Sequence, residues 1–317
     1  MIKLPAIASL AEMNLFTDAI TDDEQLGLSV ELSTEHCELH PMVLCMVAAL
    51  TDRPNSLGTQ ISVVNPEVES PNLKRMGLLE YLKVPGLTAE RTVESAGRFI
   101  PVRQIPGNRE LNRFITDFVP VLHATPDQAN SVKYVLSELI RNVLEHSGSS
   151  AGAYAAVELT DDNRILIGVA DSGIGVRKTI RRAHAANGAP EAIALAFSPG
   201  VSGVTSNYGG NETNGGAGLF FMKAMATLSN QHMVMISEST MMRVEPQYSK
   251  DPTINPSLTE DDVTWSEIGV PFLGTAVGVD LALENSVAFA KLLVEIGQIY
   301  HLSVRGRKRA ARTAIFT

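Results

Sequence analysis

Hydrophobic and polar residues in the first hundred positions form a pattern that predicts two strands and two helices. Residues 27–33 alternate with the two-residue period of a half-buried strand, and residues 60–64 form a second β-prone run. Pro41 opens the apolar run 42–50, which predicts a helix, and residues 73–82 predict another. Alternating strands and helices indicate a small α/β domain.

The rest of the chain begins with a longer helix and a strand hairpin. The pair Thr125-Pro126 suits a helix start, because threonine can cap and proline fits the first turn, so we expect a helix from there to about His146. Strands are predicted at 155–159 and 164–170, and the turn 161–163 between them indicates a hairpin. Further elements are predicted in the remaining sequence: helices at 110–122, 177–197, 218–229 and 286–300, and strands at 234–237, 241–244 and 276–283.

This pattern predicts an α/β (α+β) protein of two domains. We assign residues 1–97 to a small α/β domain, residues 98–302 to a larger domain and residues 303–317 to a basic C-terminal tail. A strand at 98–102 fits either side of the first boundary. Residues 245–271 are predicted to be an insertion between strands.

The composition narrows the class of protein. The 317 residues are 44% hydrophobic and 19% charged, which excludes a disordered or fibrous chain. With 35 acidic and 26 basic residues the net charge is −9, which argues against general electrostatic capture of nucleic acid or of anionic membranes. The basic run 305–312 leaves two interpretations open, a solvated tail or a contact with nucleic acid or an acidic partner.

Cysteine usage and hydropathy predict a cytoplasmic protein. Cys37 and Cys45 are too few for a disulfide framework or a four-thiolate metal site, and they suit a reducing compartment. No uncharged apolar run reaches the length of about 18 residues that a membrane-spanning helix needs, and no signal-peptide pattern follows Met1. We therefore expect no membrane partner.

Two motifs place polar groups and glycines where they could bind a ligand. Glu138, Asn142 and His146 follow one another at intervals of four on the long predicted helix, so they share one helical face. The sequence Asp171-Ser172-Gly173-Ile174-Gly175 follows a predicted strand, where glycines permit close backbone approach and the aspartate can accept a hydrogen bond.

Two further glycine motifs follow in the chain. Gly215-Gly216-Ala217-Gly218-Leu219 comes directly before a predicted helix, whose free N–H groups and dipole favour a polyphosphate. Gly274-Thr275 leads into the strand 276–281. Each of the four motifs alone also fits a solvated helix face, a turn or a flexible loop, so the inference depends on their joint occurrence in this order.

In this order the four motifs resemble the GHKL superfamily, the Bergerat-fold ATPases that include DNA gyrase, a heat-shock chaperone, sensor histidine kinases and MutL. The resemblance covers roughly residues 105–300. It implies an α/β sandwich in which helices cover one face of a mixed sheet. It also implies that the protein binds ATP with Mg²⁺.

The resemblance assigns roles to individual residues. It implies that Glu138 is the general base and that Asn142 is the Mg²⁺ ligand. It implies that Asp171 reads adenine, with Gly173 and Gly175 lining the base pocket.

The same resemblance assigns the phosphate contacts. It implies that Gly215, Gly216, Gly218 and Leu219 lie at the phosphates and that Thr275 joins Asp171 through water at the adenine. It also implies that residues 176–214 contain a lid over the nucleotide.

The sequence indicates the roles of three basic residues near these motifs less specifically. For His146 we leave open a contact with phosphate and a structural histidine at the helix end, stabilised by the helix dipole. Arg141 and Lys223 could each reach phosphate, but we expect both to be exposed helical cations.

Within the superfamily, the short chain and the Asn142-x-x-x-His146 extension resemble the anti-sigma-factor serine kinases and the catalytic domain of histidine kinases. A complete sensor kinase is disfavoured, because no phosphoacceptor helix pair is found. The gyrase and MutL branches are disfavoured because only about forty residues follow Thr275, too few for their transducer domain.

The N-terminal domain resembles a STAS domain, the fold of the anti-sigma-factor antagonists. Phosphorylatable members have a serine at the start of the helix after the first strand, whereas residues 38–42 here read Glu-Leu-His-Pro-Met. The resemblance therefore implies a docking or regulatory module without an acceptor hydroxyl. An unrelated small α/β domain stays an equal alternative.

Our leading expectation is a Mg²⁺·ATP-binding regulator that phosphorylates a partner protein, or whose affinity for that partner changes with the bound nucleotide. The alternative is an ATP-hydrolysing clamp that dimerises and acts in a DNA-related or phage-related process. A third reading is a module that binds nucleotide without catalysis. A protein partner is expected, a homodimer stays open, and nucleic acid is open but not favoured.

Overall fold

The computed structural model describes the following residues: 1–21, 27–33, 37–52, 58, 60–66, 70–84, 98–118, 126–203, 218–248, 253–258, 263–282, 294 and 296–306.

The N-terminal part of the chain consists of short strands and helices. Its strands are β1 (Ile2–Lys3), β2 (Ile7–Ala8), β3 (Leu28–Glu31), β4 (Glu38–Leu39) and β5 (Ile61–Val64), and its helices are α1 (Met13–Thr17), α2 (Pro41–Leu50), α3 (Pro71–Arg75) and α4 (Leu78–Tyr81). Strands β1, β3 and β5 form a parallel sheet in the order β1-β3-β5, and β2 pairs with β4 in parallel.

The predicted N-terminal elements are present, with one difference. The strands at 27–33 and 60–64 and the helix at 42–50 are confirmed. The helix expected at 73–82 is two short helices, because Gly77 between them has φ 73°, and a left-handed residue cannot continue a right-handed helix.

The second part of the chain contains the longer elements. They are β6 (Phe99–Ile105), α5 (Asn108–Phe118), α6 (Pro126–His146), β7 (Ala153–Leu159), β8 (Arg164–Asp171), α7 (Gly175–Ile180), α8 (Ala189–Ala196), α9 (Gly218–Leu228), β9 (Met233–Val244) and β10 (Val263–Ala282). Residues 296–306 are also helical. The predicted hairpin is confirmed, since β7 and β8 pair antiparallel and Asn163 in the turn between them has φ 58°.

Strands β6 to β10 form one sheet in the order β6-β7-β8-β10-β9. All four pairings in this sheet are antiparallel, whereas we expected a mixed sheet. The helix α6 begins and ends where the sequence predicted. None of the described helices is both long and apolar enough to cross a membrane.

The helices of the second part cover one face of the five-stranded sheet, as expected, and the N-terminal elements cover the other face. On the inner face, residues such as Val169 and Val277 pack with α6 and α9 in one apolar core. On the outer face, Tyr154 and Ile236 share a second core with the N-terminal elements, α2 above all. Helix α2 is apolar on all sides, and such a helix is stable only when it is buried between layers.

Two glycines let α2 lie directly on the sheet. A Cβ atom on Gly168 of β8 would lie 2.1 Å from the Met42 nitrogen, and one on Gly278 of β10 would lie 2.8 Å from Met42 Sδ. The thiol of Cys45 also donates to the Gly168 carbonyl at 3.4 Å. The start of α2 therefore touches the sheet at backbone distance, which any side chain at these strand positions would prevent.

A buried hydrogen bond fixes the same end of α2. His40 is the N-cap residue, and its Nδ1 accepts the Met42 N–H. The other ring nitrogen, Nε2, must therefore carry the proton, and it donates to Asp280 Oδ1 of β10 at 2.9 Å. Both side chains are buried, so the N-terminal part and the sheet share a polar contact as well as a core.

The domain boundaries stay a prediction. The boundary at residues 97 and 98 adjoins residues 85–97, which lie outside the described part of the chain, as do residues 307–317 of the predicted tail.

The hairpin of β9 and β10 corrects the expected insertion. Residues 263–271 belong to β10, of which 263–267 pair with β9, and the two strands predicted at 234–237 and 241–244 are one strand. The strand was not predicted, because Pro271 lies within it and a proline argues against a strand. The ladder shifts register between Glu267 and Phe272, and such an irregularity is where a strand tolerates proline.

The close contact between Gly168 and α2 predicts the effect of a small substitution. Gly168→Ala forces the sheet away from the Met42 backbone, so we expect the free energy of unfolding to fall by about 2 kcal/mol or more. Urea denaturation measures this. Gly269→Ala is the control, because a Cβ there meets nothing within 4 Å. Equal stability of the two variants would contradict the close packing of α2.

Candidate functional site

Four separate parts of the chain line one cleft on the inner face of the sheet. They are one side of α6, the end of β8, the start of α9 and the middle of β10, and residues of α7, α8, β9 and 201–203 complete the lining. The cleft brings together seven of the residues singled out in the sequence: Glu138, Asn142, His146, Asp171, Gly218, Leu219 and Thr275.

Helix α6 contributes three of these side chains from one face. Glu138, Asn142 and His146 are one helical turn apart, and all three line the cleft. The opposite side of α6 carries Leu136 and Ile140, which are fully buried in the inner core. The core therefore fixes the rotation of α6 and directs the polar face into the cleft.

Asp171 is a buried carboxyl group at the end of β8. It is 1% exposed, and its Oδ1 accepts the Gly173 N–H at 2.7 Å. Burial raises the pKa of Asp171 to about 7, while backbone hydrogen bonds from Gly173 and Thr275 act in the opposite direction. Asp171 lies directly opposite Thr275 in the ladder between β8 and β10.

Glycines shape the turn after Asp171. A Cβ on Gly173 would lie 2.2 Å from the Ser147 carbonyl oxygen, and one on Gly274 would lie 2.0 Å from the Asp171 carbonyl oxygen. Gly175 has φ 79° and opens α7. Gly173 and Gly175 do not line the cleft, so in the structure they support Asp171 and do not form a wall of the pocket.

The first residue of α9 lies against α6. A Cβ on Gly218 would lie 2.8 Å from Glu138 Oε2 and 3.5 Å from Asn142 Nδ2. A side chain at position 218 would have to displace the Glu138 carboxylate, so glycine lets the N-terminal end of α9 lie close to these two groups. The predicted phosphate residues Gly215 and Gly216 lie outside the described residues.

The predicted lid at 176–214 is described only as far as residue 203. That part contains α7 and α8, and Thr179 and Ala196 from these helices line the cleft. Residues 204–214 lie outside the described part of the chain.

Glu138 and His146 both have shifted acidities. Burial raises the pKa of Glu138, while Arg141, whose Nη1 donates to Glu138 Oε1 at 3.0 Å, acts in the opposite direction. Burial lowers the pKa of His146, opposed by the Glu145 carboxylate, so its imidazole is mainly neutral at pH 7. The His146 carbonyl accepts the Thr179 hydroxyl at 3.2 Å, and both predicted roles of this histidine stay open.

The two helical cations differ from each other. Arg141 is half exposed, as expected, although it lines the cleft. Lys223 is 1% exposed, so the expectation of an exposed cation is wrong for this residue. The reason is that the chain at 253–258 covers this part of α9, and Lys223 Nζ donates to the Asn255 carbonyl.

The apolar wall of the cleft was missed in the sequence. Val169, Met235 and Val277 line the cleft beside Asp171 and Thr275. Val169 precedes Asp171 by two residues and Val277 follows Thr275 by two, so the strand period alone could have identified them. An apolar wall beside a buried hydrogen-bond acceptor suits a flat heteroaromatic ring.

These residues fit a magnesium nucleotide. The wall and Asp171 can hold a base with an exocyclic amine, and the N-terminal end of α9 favours phosphate. The Asn142 amide oxygen is a hard ligand of the kind Mg²⁺ takes. Among the described residues no cluster of three or more His, Cys, Asp or Glu side chains could hold a metal, so a cation in this cleft would take most of its ligands from phosphate and water.

Comparison with known families agrees with this geometry. Residues 127–250 match the family described as "Histidine kinase-, DNA gyrase B-, and HSP90-like ATPase". This segment is a GHKL-type ATPase domain, the class that the four motifs resemble. It contains Glu138, Asn142, Asp171 and Gly218, while Thr275 lies beyond the matched range. No curated protein matches the chain.

The raised pKa of Asp171 predicts how stability changes with pH. Between about pH 4 and pH 7 the unfolded chain ionises this carboxyl group while the folded protein keeps it protonated. As the pH rises from 4 to 7, the free energy of unfolding of the wild type should therefore fall relative to that of Asp171→Asn. The difference between the two proteins should level off above pH 7. Urea denaturation between pH 4.5 and 8 without nucleotide measures this difference.

The matched control for this pH series is Asp162→Asn. Asp162 is exposed and its pKa is lowered by hydrogen bonds from Thr160 and Arg164, so its contribution should be lost only at more acidic pH. A difference between wild type and Asp171→Asn that does not change from pH 4.5 to 8 would show that Asp171 ionises normally.

Proposed function

We propose that this protein binds Mg²⁺·ATP in the cleft and transfers the γ-phosphoryl group to a partner protein, as a regulator of the anti-sigma-factor kinase type. The observation that carries the proposal is the convergence of Glu138, Asn142, Asp171 and Gly218 in one cleft, from three elements that are distant in sequence. The ATPase class of residues 127–250 supports the nucleotide, and the partner follows from the resemblance stated above.

Asp171 is the group that selects adenine. A carboxyl oxygen held at the end of β8 accepts a hydrogen bond from an exocyclic amine, which guanine does not present at the same ring position. Thr275 lies opposite Asp171 in the ladder, and its hydroxyl joins the contact through water in this proposal. Val169, Met235 and Val277 supply the apolar surface for the ring.

The phosphates lie between α6 and the start of α9. The N-terminal end of α9, whose N–H groups and dipole favour phosphate, lies at the cleft, and Asn142 lines the same space. A bound Mg²⁺ would neutralise the phosphate charge, and Asn142 would be its protein ligand. His146 and Arg141 border this space and offer further donors.

Glu138 is the general base. It accepts the proton of an attacking serine hydroxyl as the hydroxyl oxygen bonds to the γ-phosphorus and the bond to the β-phosphate oxygen breaks, which leaves ADP. Partial burial raises the pKa of this carboxylate, so it takes up a proton more readily than an exposed glutamate. Arg141 holds one oxygen of Glu138 and fixes its direction.

The N-terminal part has a regulatory role in this proposal. In a STAS domain the acceptor serine would stand near residues 40–42, at the start of α2. Here that position is buried against the sheet, with His40 bound to Asp280. A buried start of α2 supports a regulatory module and not a phosphate acceptor.

If Glu138 is the general base, its removal should abolish turnover of ATP but not binding of ATP. Glu138→Gln keeps the shape of the side chain but cannot accept the proton, so ATP affinity should stay within a few fold while turnover falls by about 100-fold or more. Calorimetry with an ATP analogue measures affinity, and release of ADP measures turnover. Glu267→Gln, an exposed glutamate on β10 outside the cleft, is the matched control. Full turnover of Glu138→Gln would exclude Glu138 as the base.

The kinase activity predicts where the phosphate goes. When the protein is incubated with γ-labelled ATP and an extract of its own cells, label should appear on serine of a second protein, and not with Glu138→Gln. Release of free phosphate without labelled protein would contradict the kinase and favour the hydrolysing clamp. The clamp would then also have to bind DNA with a steep salt dependence that is lost when residues 305–312 are deleted.

A further inference from the structure

Asp52, in the N-terminal part of the chain, contacts the turn Asp171-Ser172-Gly173 at the end of β8. It lies just past the C-terminal end of α2, after the C-cap residue Thr51. Both of its carboxylate oxygens are used: the Tyr154 hydroxyl donates to Oδ1, and the Ser172 hydroxyl donates to Oδ2 at 2.6 Å. Ser172 is the residue between Asp171 and Gly173, so this contact reaches the turn that holds the adenine acceptor.

The other side of the turn is held by the chain that follows α6. The Ile174 N–H donates to the Ser147 carbonyl at 2.8 Å. The Ser149 hydroxyl lies 3.3 Å from the Ser172 hydroxyl, and because Ser172 donates to Asp52, Ser149 must be the donor in this second contact. The turn is thus held on one side by Ser147 and Ser149, which follow α6, and on the other side by Asp52.

The chemistry around Asp52 makes it an acceptor for both neighbours. Burial raises the pKa of the Tyr154 hydroxyl and Asp52 raises it further, so Tyr154 keeps its proton and donates. Asp52 therefore accepts a hydrogen bond from each of the two hydroxyl groups.

We propose that Asp52 is a positioning residue for the nucleotide: its hydrogen bond to Ser172 fixes the turn that carries Asp171 and Gly173, so ATP affinity depends on the docking of α2 against the sheet. This inference rests on the proposed function. Because coupling between two sites is reciprocal, bound nucleotide also stabilises the docked N-terminal part.

Two substitutions test the hydrogen bond between Ser172 and Asp52, one at each residue. Ser172→Ala removes the hydroxyl in the turn, and Asp52→Asn leaves an amide that cannot accept from both donors. Each should weaken binding of ADP by about ten-fold, measured by calorimetry with Mg²⁺ present. The double variant should bind no more weakly than the weaker single variant, because both remove the same contact.

Kinetics separate positioning from general damage. Saturating ATP restores the bound state, so the KM for ATP should rise about as much as the dissociation constant while kcat stays within about two-fold. Ser229→Ala and Asp162→Asn are the matched controls. The Ser229 hydroxyl donates to the Met225 and Ala226 carbonyls at the end of α9, and Asp162 accepts two hydrogen bonds in the turn before β8, so both variants should keep the wild-type KM.

The outcomes distinguish this inference from the proposed function. If wild type binds ADP and Ser172→Ala binds it equally well, the role of Asp52 is overturned and the nucleotide site stands. Equal losses in kcat and in affinity, with a lower melting temperature, overturn it too, because they indicate a structural defect. If Asp52→Asn does not fold, Ser172→Ala decides, since it leaves the bond between Tyr154 and Asp52 intact. If wild type binds no adenine nucleotide, both proposals fail.

Discussion

The antiparallel ladder between β8 and β10 determines what lies on each face of the sheet. Because side chains alternate along a strand, Val169, Asp171 and Thr275 face the cleft, while Gly168 and Gly278 face α2. A shift of the register by one residue would place the acid in the outer core and the glycines in the cleft. One ladder therefore positions both the candidate nucleotide site and the N-terminal helix.

The two carboxyl groups of the cleft lie in different surroundings. Asp171 is almost fully buried between a glycine turn and an apolar wall, which suits reading a neutral base. Glu138 is partly exposed beside Arg141, which suits proton transfer at the phosphate end. Burial raises the pKa of both groups, and the two groups differ in how far they are exposed.

Much of the site could be predicted from local sequence, because its motifs are short stretches of chain at or beside single elements. The face of α6 follows from the spacing of Glu138 and Asn142, and the hairpin follows from its turn. Contacts between distant segments left no such pattern. The burial of Lys223 depends on residues 253–258, and the bond between Asp52 and Ser172 joins positions 120 residues apart. Nor does the sequence of α2, apolar on all sides, say which surface covers it.

The central claim is that an adenine nucleotide occupies the cleft with its base at Asp171 and its metal at Asn142. The most direct measurement is a crystal structure of the protein with Mg²⁺ and a non-hydrolysable ATP analogue. We expect the adenine amine within hydrogen-bond distance of Asp171, against Val169 and Val277, and the Asn142 amide oxygen among the metal ligands. A nucleotide bound elsewhere, or in the cleft with its phosphates at Asp171, would contradict it.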